Sequence, residues 1–256
     1  MRLNNNFIRK PLILSRYISR LGFSFTFSYL FQRFILKKEI LSLNLQNLEH
    51  KVFLRNNHSD FQVFSQIFID KEYQTDSSIE PNIIIDCGAN IGLATLFFMR
   101  YFPYSHYIVI EPEMGNFNML TQNLSKYPNV TLINKAVWNK KGHIVIKDNG
   151  WGNAGFTVQE TRSSEVDSIE TISINDIIKD YNLKQIDILK LDIEGSEEQI
   201  FLETYDQWQS KVDLIFVEIH ENLKPGLINK IIKITSDNFY VSTSGEFHIF
   251  RRKEKC

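Results

Sequence analysis

Short apolar runs alternate with stretches of helical periodicity over most of the chain. The runs 82–87, 106–111 and 186–191 are rich in β-branched residues, and such runs predict strands that are buried on both faces of a parallel sheet. The stretches 91–102 and 113–126 carry apolar positions at helical spacing and end close to prolines. This alternation of strands and helices predicts a doubly wound α/β fold with helices on both faces of the sheet.

The alternation changes in the middle of the chain and near its end. Residues 143–147 alternate like an exposed strand, and 148–165 are expected to form a loop, because three glycines lie close together there. Farther on, the runs 239–243 and 246–251 are separated by a tight turn, which only antiparallel strands can share. The predicted sheet is therefore mostly parallel, with an antiparallel C-terminal hairpin.

Two serines mark the starts of helices. Ser173 stands three residues before Asp176, and Ser196 stands three residues before Gln199. Both spacings are typical of a capping box, in which two side chains pair with free N–H groups of the first helical turn. The sequence therefore predicts that one helix begins at each serine.

Composition and charge restrict the class of protein. A chain of 256 residues with 43% hydrophobic residues can bury a large core, and its net charge of −1 predicts no nucleic-acid partner. Cys87 and Cys256 form neither a disulfide framework nor a metal-binding spacing. This use of cysteine favours a reducing, cytoplasmic location.

The first 45 residues differ from the rest of the chain. They carry eight basic residues against Glu39, which is +8 − 1 = +7, and they include the aromatic run 23–29. The apolar-rich stretch 21–36 is shorter than the ~20 residues of a membrane span. Two interpretations remain open: peripheral contact with the inner face of a membrane, or a helical cap on the main domain. We divide the chain into an N-terminal extension (1–45), a lead-in segment (46–81) and the main domain (82–256).

A glycine-containing turn follows the first strand of the predicted sheet. The segment DCGANIG (86–92) leaves a buried run and opens a helix. Gly88 permits a sharp turn, and Gly92 lets the backbone approach a ligand. Its G-x-x-x-G spacing differs from the G-x-G-x-x-G of nicotinamide enzymes, and the lysine of a phosphate-binding loop is missing. The turn therefore predicts a nucleoside ligand without a pyrophosphate.

An acidic residue stands at the end of the second strand. Glu111 follows Gly88 by 23 residues, at the position where a carboxylate accepts hydrogen bonds from a ribose in doubly wound folds. The alternative is a carboxylate that stabilises the start of the next helix. Because the glycine turn accompanies it, we expect Glu111 to bind a ribose.

Charged residues also follow two later strands of the predicted sheet, 186–191 and 213–219. Asp192 and Glu194 follow the first of these, and Glu218 and His220 lie at the end of the second. We expect them to share one edge, because ligands bind beyond the carboxyl ends of parallel strands. The three carboxylates suit Mg²⁺, and His220 is the candidate general base. The alternative for His220 is a structural histidine bonded to a carboxylate. Glu197 is expected to stabilise the start of a helix.

Six segments of the chain resemble the motifs of one known family in their order and spacing. They are IIIDCGANIGLATL, IEP, NKAVWN, TISINDII, IDILKLDIEGSEEQI and VEIH, over roughly residues 82–222. The family is the FkbM family of methyltransferases that depend on S-adenosylmethionine (SAM). The resemblance implies a class I methyltransferase with a Rossmann-like sheet. It also implies O-methylation of a hydroxyl on a sugar, a glycan or a secondary metabolite. The first 45 residues match nothing in the family.

The resemblance also implies contacts to the cofactor. The methionine part of SAM is expected to contact Asp86, Gly88, Asn90 and Gly92. The ribose is expected to contact Glu111, and the adenine is expected to contact Asn134 and Ala136. Asp192 is expected to lie beside the sulfonium. SAM supplies the reactive carbon, so the protein mainly has to align the acceptor hydroxyl and take its proton. Asp192 and His220 are the expected catalytic residues. A Mg²⁺ ion held by Asp192, Glu194 and Glu218 is the alternative way to activate the hydroxyl.

The acceptor and two competing classes of protein remain open. For a sugar acceptor, Trp151 can stack on the sugar face, Asn153 can hydrogen-bond to the sugar hydroxyls, and Glu194 is a further candidate contact. The alternative is that Trp151 belongs to a surface loop and packs on the edge of the sheet. One competing class is a non-catalytic binding module with a SAM-type fold. The other is a different Rossmann-like enzyme such as an oxidoreductase, against which the missing G-x-G-x-x-G argues.

Overall fold

The computed structural model describes five stretches of the chain, namely residues 15–71, 73, 79–148, 156–161 and 168–254. Their helices are α1 Phe23–Leu30, α2 His58–Ser65, α3 Leu93–Met99, α4 Met114–Leu124, α5 Ile174–Asp180, α6 Glu197–Trp208 and α7 Leu227–Thr235. Residues 15–21 are also helical. The strands are β1 Ile40–Leu43, β2 Val52–Arg55, β3 Ile83–Cys87, β4 His106–Ile110, β5 Val130–Ile133, β6 Ala136–Val137, β7 Gly142–Asp148, β8 Phe156–Thr161, β9 Ile169–Ile172, β10 Ile186–Leu191, β11 Val212–Glu218, β12 Phe239–Ser244 and β13 Phe247–Arg252.

The central sheet of the described residues has the strand order β12-β13-β11-β10-β3-β4-β5. Neighbours from β11 to β5 pair in parallel, whereas β13 runs antiparallel between β11 and β12. The chain order reverses between the adjacent strands β3 and β10, so their carboxyl ends form the switch point at which doubly wound folds bind ligands. The predicted sheet, mostly parallel with an antiparallel C-terminal hairpin, is confirmed.

Alternate residues along the strands pack into two separate cores. Ile84 and Ile188 belong to the core that contains α3, α4 and the N-terminal helices. Ile85 and Leu189 belong to the other core, which contains α5, α6 and α7. Because neighbouring side chains of a strand point to opposite faces, both faces of the sheet are covered by helices. The predicted doubly wound arrangement is therefore confirmed.

The N-terminal segment packs on the main domain through one face. Phe25 and Tyr29 of α1 are buried. They stack on Phe64 and Phe61 of α2, with ring centroids 5.5 and 4.6 Å apart. Strand β1 pairs with β2, so the boundary drawn after residue 45 falls within a hairpin. In the part of the chain that the structure describes, no helix is both long and apolar enough to cross a bilayer.

A second sheet, with the order β6-β9-β7-β8, forms in the middle of the chain. Strand β8 pairs antiparallel with β7 and lies within the stretch 148–165, so the prediction of a loop is wrong for these six residues. Trp151 and Asn153, the residues expected to contact the acceptor, lie outside the described residues.

One of the two predicted capping boxes forms. The Ser173 hydroxyl accepts a hydrogen bond from the Asp176 N–H at 3.0 Å, and the Asp176 carboxylate accepts one from the Ser173 N–H at 3.2 Å. Ser196 makes no capping hydrogen bond through its side chain, so the second prediction is wrong. Glu197, rather than Gln199, bonds to a backbone N–H at this helix start: its carboxylate accepts a hydrogen bond from the Gly195 N–H at 3.2 Å.

Candidate active site

The turn after β3 packs directly against the end of β10. Gly88 has a φ of +72°, and a Cβ placed on it would lie 1.7 Å from the carbonyl oxygen of Asp192. A side chain at this position therefore requires the backbone to move. Asn90 and Gly92 are also left-handed, with φ of 52° and 85°, and they carry the chain round into α3. The glycine spacing found in the sequence thus reflects a tight approach of two backbones.

A buried lysine links the two central strands. Lys190 is 2% exposed, and its Nζ donates a hydrogen bond to the Gly88 carbonyl at 2.7 Å. The same Nζ lies 3.1 Å from Asp86 Oδ1 and 3.5 Å from Asp192 Oδ2. Burial lowers the pKa of Lys190, but the Asp86 and Asp192 carboxylates outweigh this and hold the pKa well above its usual value. A charged ammonium therefore holds the turn in place.

Sequence reasoning gave Lys190 no role, although one signal was present. A lysine between the buried leucines at the carboxyl end of strand β10 needs a buried anion or carbonyl to pair with. Asp86 is that partner: it is fully buried and also accepts a hydrogen bond from the Thr95 hydroxyl at 2.6 Å. Asp86 thus lies behind the turn, where it supports Gly88 through Lys190.

The carboxylate at the end of β4 is tied to the same turn. Glu111 is 5% exposed; its Oε2 accepts a hydrogen bond from the Asn90 N–H at 2.8 Å, and its Oε1 accepts one from the Glu113 N–H at 2.9 Å. Burial raises the pKa of Glu111, and these hydrogen bonds partly oppose the rise. Asn134 donates its amide to the Glu111 carbonyl at 2.8 Å, and Ala136 begins β6 two residues later. The predicted ribose and adenine residues thus come together beside the turn.

The charged groups beyond β10 and β11 also come together. Asp192, Glu218 and His220 offer ligand atoms that all lie within 4.8 Å of one another. His220 Nε2 is 3.7 Å from both Glu218 Oε1 and Glu194 Oε2, which is too long for a hydrogen bond. All four side chains therefore lie at one edge of the sheet, and none of these contacts is tight.

A buried glutamate orients His220. Glu197 is fully buried, and its Oε1 lies 2.9 Å from His220 Nδ1. This contact leaves Nε2 facing Glu218. Burial lowers the pKa of His220, but Glu197 and the neighbouring carboxylates outweigh it and raise the pKa to about 9. The imidazole is thus protonated at neutral pH in the protein alone. The sequence did not predict the contact between Glu197 and His220, because a glutamate in the first turn of α6 is also explained by stabilisation of the helix start.

The carboxylates of this edge also affect one another. Burial and the nearby Asp192 raise the pKa of Glu218 to about 7. The pKa of Glu194 is also raised, because the surrounding protein removes part of the water from its carboxylate, although the side chain is 67% exposed. Glu194 adopts a left-handed backbone with a φ of 51°, which costs a residue with a side chain about 1–2 kcal/mol. Strain of this kind persists where a site requires it, and here it occurs beside the crowded carboxylates.

A cavity of about 250 Å³ lies between these groups and α2. Its lining includes Gly88, Asn90, Lys190, Asp192, Glu194 and Glu218, together with Gln62 of α2, Gln66 directly after α2 and Glu246 of the last hairpin. Asn90 Oδ1 is buried and accepts no hydrogen bond from any described residue, so it is a free acceptor for a ligand. A larger cavity of about 650 Å³ lies near the amino ends of β10 and β11, the edge opposite to the one at which α/β folds bind ligands.

Comparison with known proteins identifies the family. The family model described as "Methyltransferase FkbM domain" matches residues 86–240, which is more than half of the chain. The chain therefore belongs to the FkbM family of methyltransferases.

Two curated relatives and one solved structure are similar to this chain. Methyltransferase 1 of Beauveria bassiana is 26% identical over 191 residues, which cover 61% of this chain and 72% of that protein. The hexuronic acid methyltransferase AglP of Haloferax volcanii is 23% identical over 178 residues, which cover 68% of this chain and 72% of that protein. The crystal structure of methyltransferase FkbM from Methylobacillus flagellatus KT superposes with a TM-score of 0.49 at 14% identity, over 96% of this chain and 60% of that one.

Proposed function

We propose that this FkbM-family methyltransferase takes its methyl group from SAM and transfers it to a hydroxyl of a sugar or of another small polyhydroxylated acceptor. The cavity of about 250 Å³ carries the proposal, because its lining joins the glycine turn to Asp192 and Glu218. One side of this cavity suits a cofactor, and the other side suits the activation of a hydroxyl.

The residues around the turn fit SAM. Asn90 Oδ1 is a buried acceptor without a partner among the described residues, and the amino group of SAM can supply the missing donor. Each carboxylate oxygen of Glu111 accepts one short hydrogen bond from the backbone. A carboxylate oxygen has about two lone-pair sites, so Glu111 can also accept the ribose hydroxyls. SAM brings the electrophilic methyl group, and Lys190 keeps the turn that receives the cofactor in one conformation.

The acceptor hydroxyl has to lose its proton during the transfer. The sequence points to His220 as the base, but an imidazole whose pKa is about 9 already carries a proton at neutral pH. Glu218, with a pKa of about 7, lies in the range in which general bases work best near neutral pH. In this proposal Glu218 accepts the proton, Asp192 positions the hydroxyl, and the nearby His220 cation favours the charged form of Glu218.

A divalent cation is the second way in which the same groups can act. Asp192, Glu218 and His220 can each offer one ligand atom, whereas the sequence pointed to Glu194 in the place of His220. Glu197 bonded to Nδ1 of His220 resembles the carboxylate partner that orients a metal-binding histidine. A cation here would lower the pKa of the acceptor hydroxyl. Chelation by EDTA and addition of Mg²⁺ should switch the activity off and on only if this second way operates.

Polar residues in the lining of the cavity support a sugar acceptor. Gln62, Gln66 and Glu246 present amide and carboxylate groups there, which suit the hydroxyls of a sugar. The relative AglP is named a hexuronic acid methyltransferase, and this supports a sugar acceptor. Trp151 and Asn153 stay predictions for further acceptor contacts.

Two measurements test the proposed function. Calorimetric titration with SAM, with NAD as the control ligand, should show binding of SAM alone. Incubation of the protein with SAM that carries a deuterated methyl group, together with sugars, glycans and small metabolites of the cell, should then label an oxygen of one acceptor, as read by mass spectrometry. Absence of SAM binding by the folded protein contradicts the choice of cofactor. A label on nitrogen or carbon contradicts O-methylation.

A further inference from the structure

The face of α1 that points away from the main domain and the π-helical segment Phe31–Ile35 that follows it carry a row of apolar side chains, which ends at Leu36. This row, named here the aromatic ridge, consists of Phe23, Phe27, Phe31, Phe34, Ile35 and Leu36. The six side chains are between 40 and 70% exposed. The rings of Phe23, Phe27 and Phe31 stack on one another, with centroids 6.2 and 5.9 Å apart. A contiguous exposed apolar surface of this kind marks an interaction site.

The ridge is not needed for the packing of α1 on the main domain. That packing uses Phe25 and Tyr29 on the opposite face of the helix, both of which are buried. The helical cap expected as one interpretation of this segment is therefore formed by the inner face alone. The ridge remains as a second face that is available to a partner outside the main domain.

Basic side chains flank the ridge at both ends. Arg20 precedes it, and Lys37 and Lys38 follow it directly; all three are exposed. Within the described parts of the chain, none of these three side chains forms an ion pair. Apolar rings between cations match the surface of an anionic bilayer, where the rings enter the headgroup region and the cations meet lipid phosphates.

We propose that the aromatic ridge binds peripherally to the surface of an anionic phospholipid bilayer. A second copy of this chain fits the ridge less well. Two ridges in a symmetric contact would each bring their flanking cations to the same interface, and like charges across an interface oppose association.

Helix α2 connects this surface to the active site. Phe61 and Phe64 of α2 stack on the inner face of α1, whereas Gln62 and Gln66 of the same segment line the cavity. A protein docked through the ridge would therefore hold its cavity near the bilayer, where an acceptor attached to a lipid can reach it. This consequence rests on the proposed function, but the docking itself does not.

Vesicle co-sedimentation of the full chain tests the docking. The protein should bind phosphatidylcholine vesicles that contain phosphatidylserine, and binding should fall at least about tenfold between about 0.1 M and about 1 M salt, because salt screens the lipid charge. The Phe27→Ser/Phe31→Ser variant should lose the binding. The Lys37→Glu/Lys38→Glu variant should weaken it by about tenfold or more, since each cation contributes about 1 kcal/mol.

Matched variants control for general effects of polarity and charge. Tyr104→Ser alters an aromatic side chain that is 94% exposed elsewhere on the protein, and Lys126→Glu/Lys184→Glu reverses two other exposed lysines. Both should bind vesicles like the unaltered protein, and thermal unfolding should show that all variants are folded.

Two outcomes would overturn the proposal, and neither depends on SAM or on turnover. The first is that the intact, folded protein binds no anionic vesicles, or binds them equally with and without the ridge phenylalanines. The second is that analytical ultracentrifugation shows a dimer that the Phe27→Ser/Phe31→Ser variant dissociates while vesicle binding is unchanged. The ridge would then be an interface between two copies of the chain.

Discussion

The two halves of the candidate active site differ in how their carboxylates are paired. At the ends of β3 and β4, Asp86 and Glu111 are buried; Asp86 faces the ammonium of Lys190 at 3.1 Å, and Glu111 accepts two backbone hydrogen bonds. At the ends of β10 and β11, Asp192 and Glu218 are only partly buried, and their nearest cations lie at 3.5 and 3.7 Å. One half is paired within the protein, whereas the other is loosely paired and crowded.

In the proposed function, this difference assigns cofactor binding to the first half and the reaction to the second. Paired, buried carboxylates fix the backbone of the turn, so a cofactor can bind there without reorganisation of the protein. The nearby Asp192 raises the pKa of Glu218, and crowded carboxylates favour the arrival of a proton or a cation. Lys190 belongs to both halves, because its Nζ lies near Asp86 and near Asp192. The two halves should therefore respond differently when a charge is removed: stability should fall most where the charge is buried and paired, and turnover where it is not.

The largest effect is expected from Lys190→Met. This change leaves the buried Asp86 without its cation, and the loss of one partner of a buried ion pair costs about 3–5 kcal/mol of stability. Urea unfolding measures the loss. The double variant Asp86→Asn/Lys190→Met should recover part of it, because no unpaired charge then remains buried. Lys184→Met, at an exposed position, should change the stability by less than about 0.5 kcal/mol. Normal stability of Lys190→Met would refute the view that pairing holds the first half together.

A smaller effect, on turnover rather than on folding, is expected from Asp192→Asn. Its side chain is partly exposed and stands at the crowded edge, so removal of its charge should leave the stability unchanged or slightly raised. The rate of methyl transfer should fall by about 10²-fold or more, whereas the SAM affinity measured by calorimetry should change little. Asp206→Asn, at an exposed position on α6, is the control. An Asp192→Asn variant with normal turnover would remove Asp192 from the catalytic group.

The sequence predicted the glycine turn and Glu111 of the paired half, but it did not predict the buried side chains that hold the two halves in position. The turn at Gly88 and the carboxylate Glu111 stand at strand ends and have local spacings, so periodicity alone located them. Lys190 and Glu197 were missed because their partners lie far away in sequence: Lys190 bonds to Gly88 across 102 residues, and Glu197 bonds to His220 across 23. Contacts of that kind depend on strand order, which no local pattern contains.

The same physical reason explains the errors in the fold. Strand β8 lies in a glycine-rich stretch and pairs with β7. It lacks the continuous apolar run that marks a strand buried on both faces of a sheet, so its sequence alone did not reveal it. The failed capping box at Ser196 is different. Its backbone is already helical, with φ −84° and ψ −1°, whereas a capping residue needs an extended conformation.

A loss of cofactor affinity is the next effect in size, and Glu111→Ala should cause it. Without the carboxylate, SAM binding should weaken by about 1–3 kcal/mol, the scale of hydrogen bonds to a charged group. Glu113→Ala is a matched control: its carboxylate caps α4 through the N–H groups of Gly115 and Asn116, so its loss should cost about 1 kcal/mol of stability with the SAM affinity intact. Unchanged SAM binding by folded Glu111→Ala would contradict the ribose contact.

The smallest effect is a dependence of stability on pH that comes from the crowded half. The pKa of His220 is about 9 in the folded protein, above the ~6.5 of an unfolded histidine. Its stabilising contribution is therefore fully present below pH ~6.5 and is lost as the pH rises through 9. Because solvent screens the partly exposed carboxylates nearby, the expected loss is about 1–2 kcal/mol. Urea unfolding at the two pH values, with EDTA present, should show this loss, and His220→Gln should abolish it. His106→Gln, at an exposed position, should leave it unchanged. If His220→Gln loses as much stability between the two pH values as the unaltered protein, groups other than His220 titrate. The loosely paired half would then not be the source of the pH dependence.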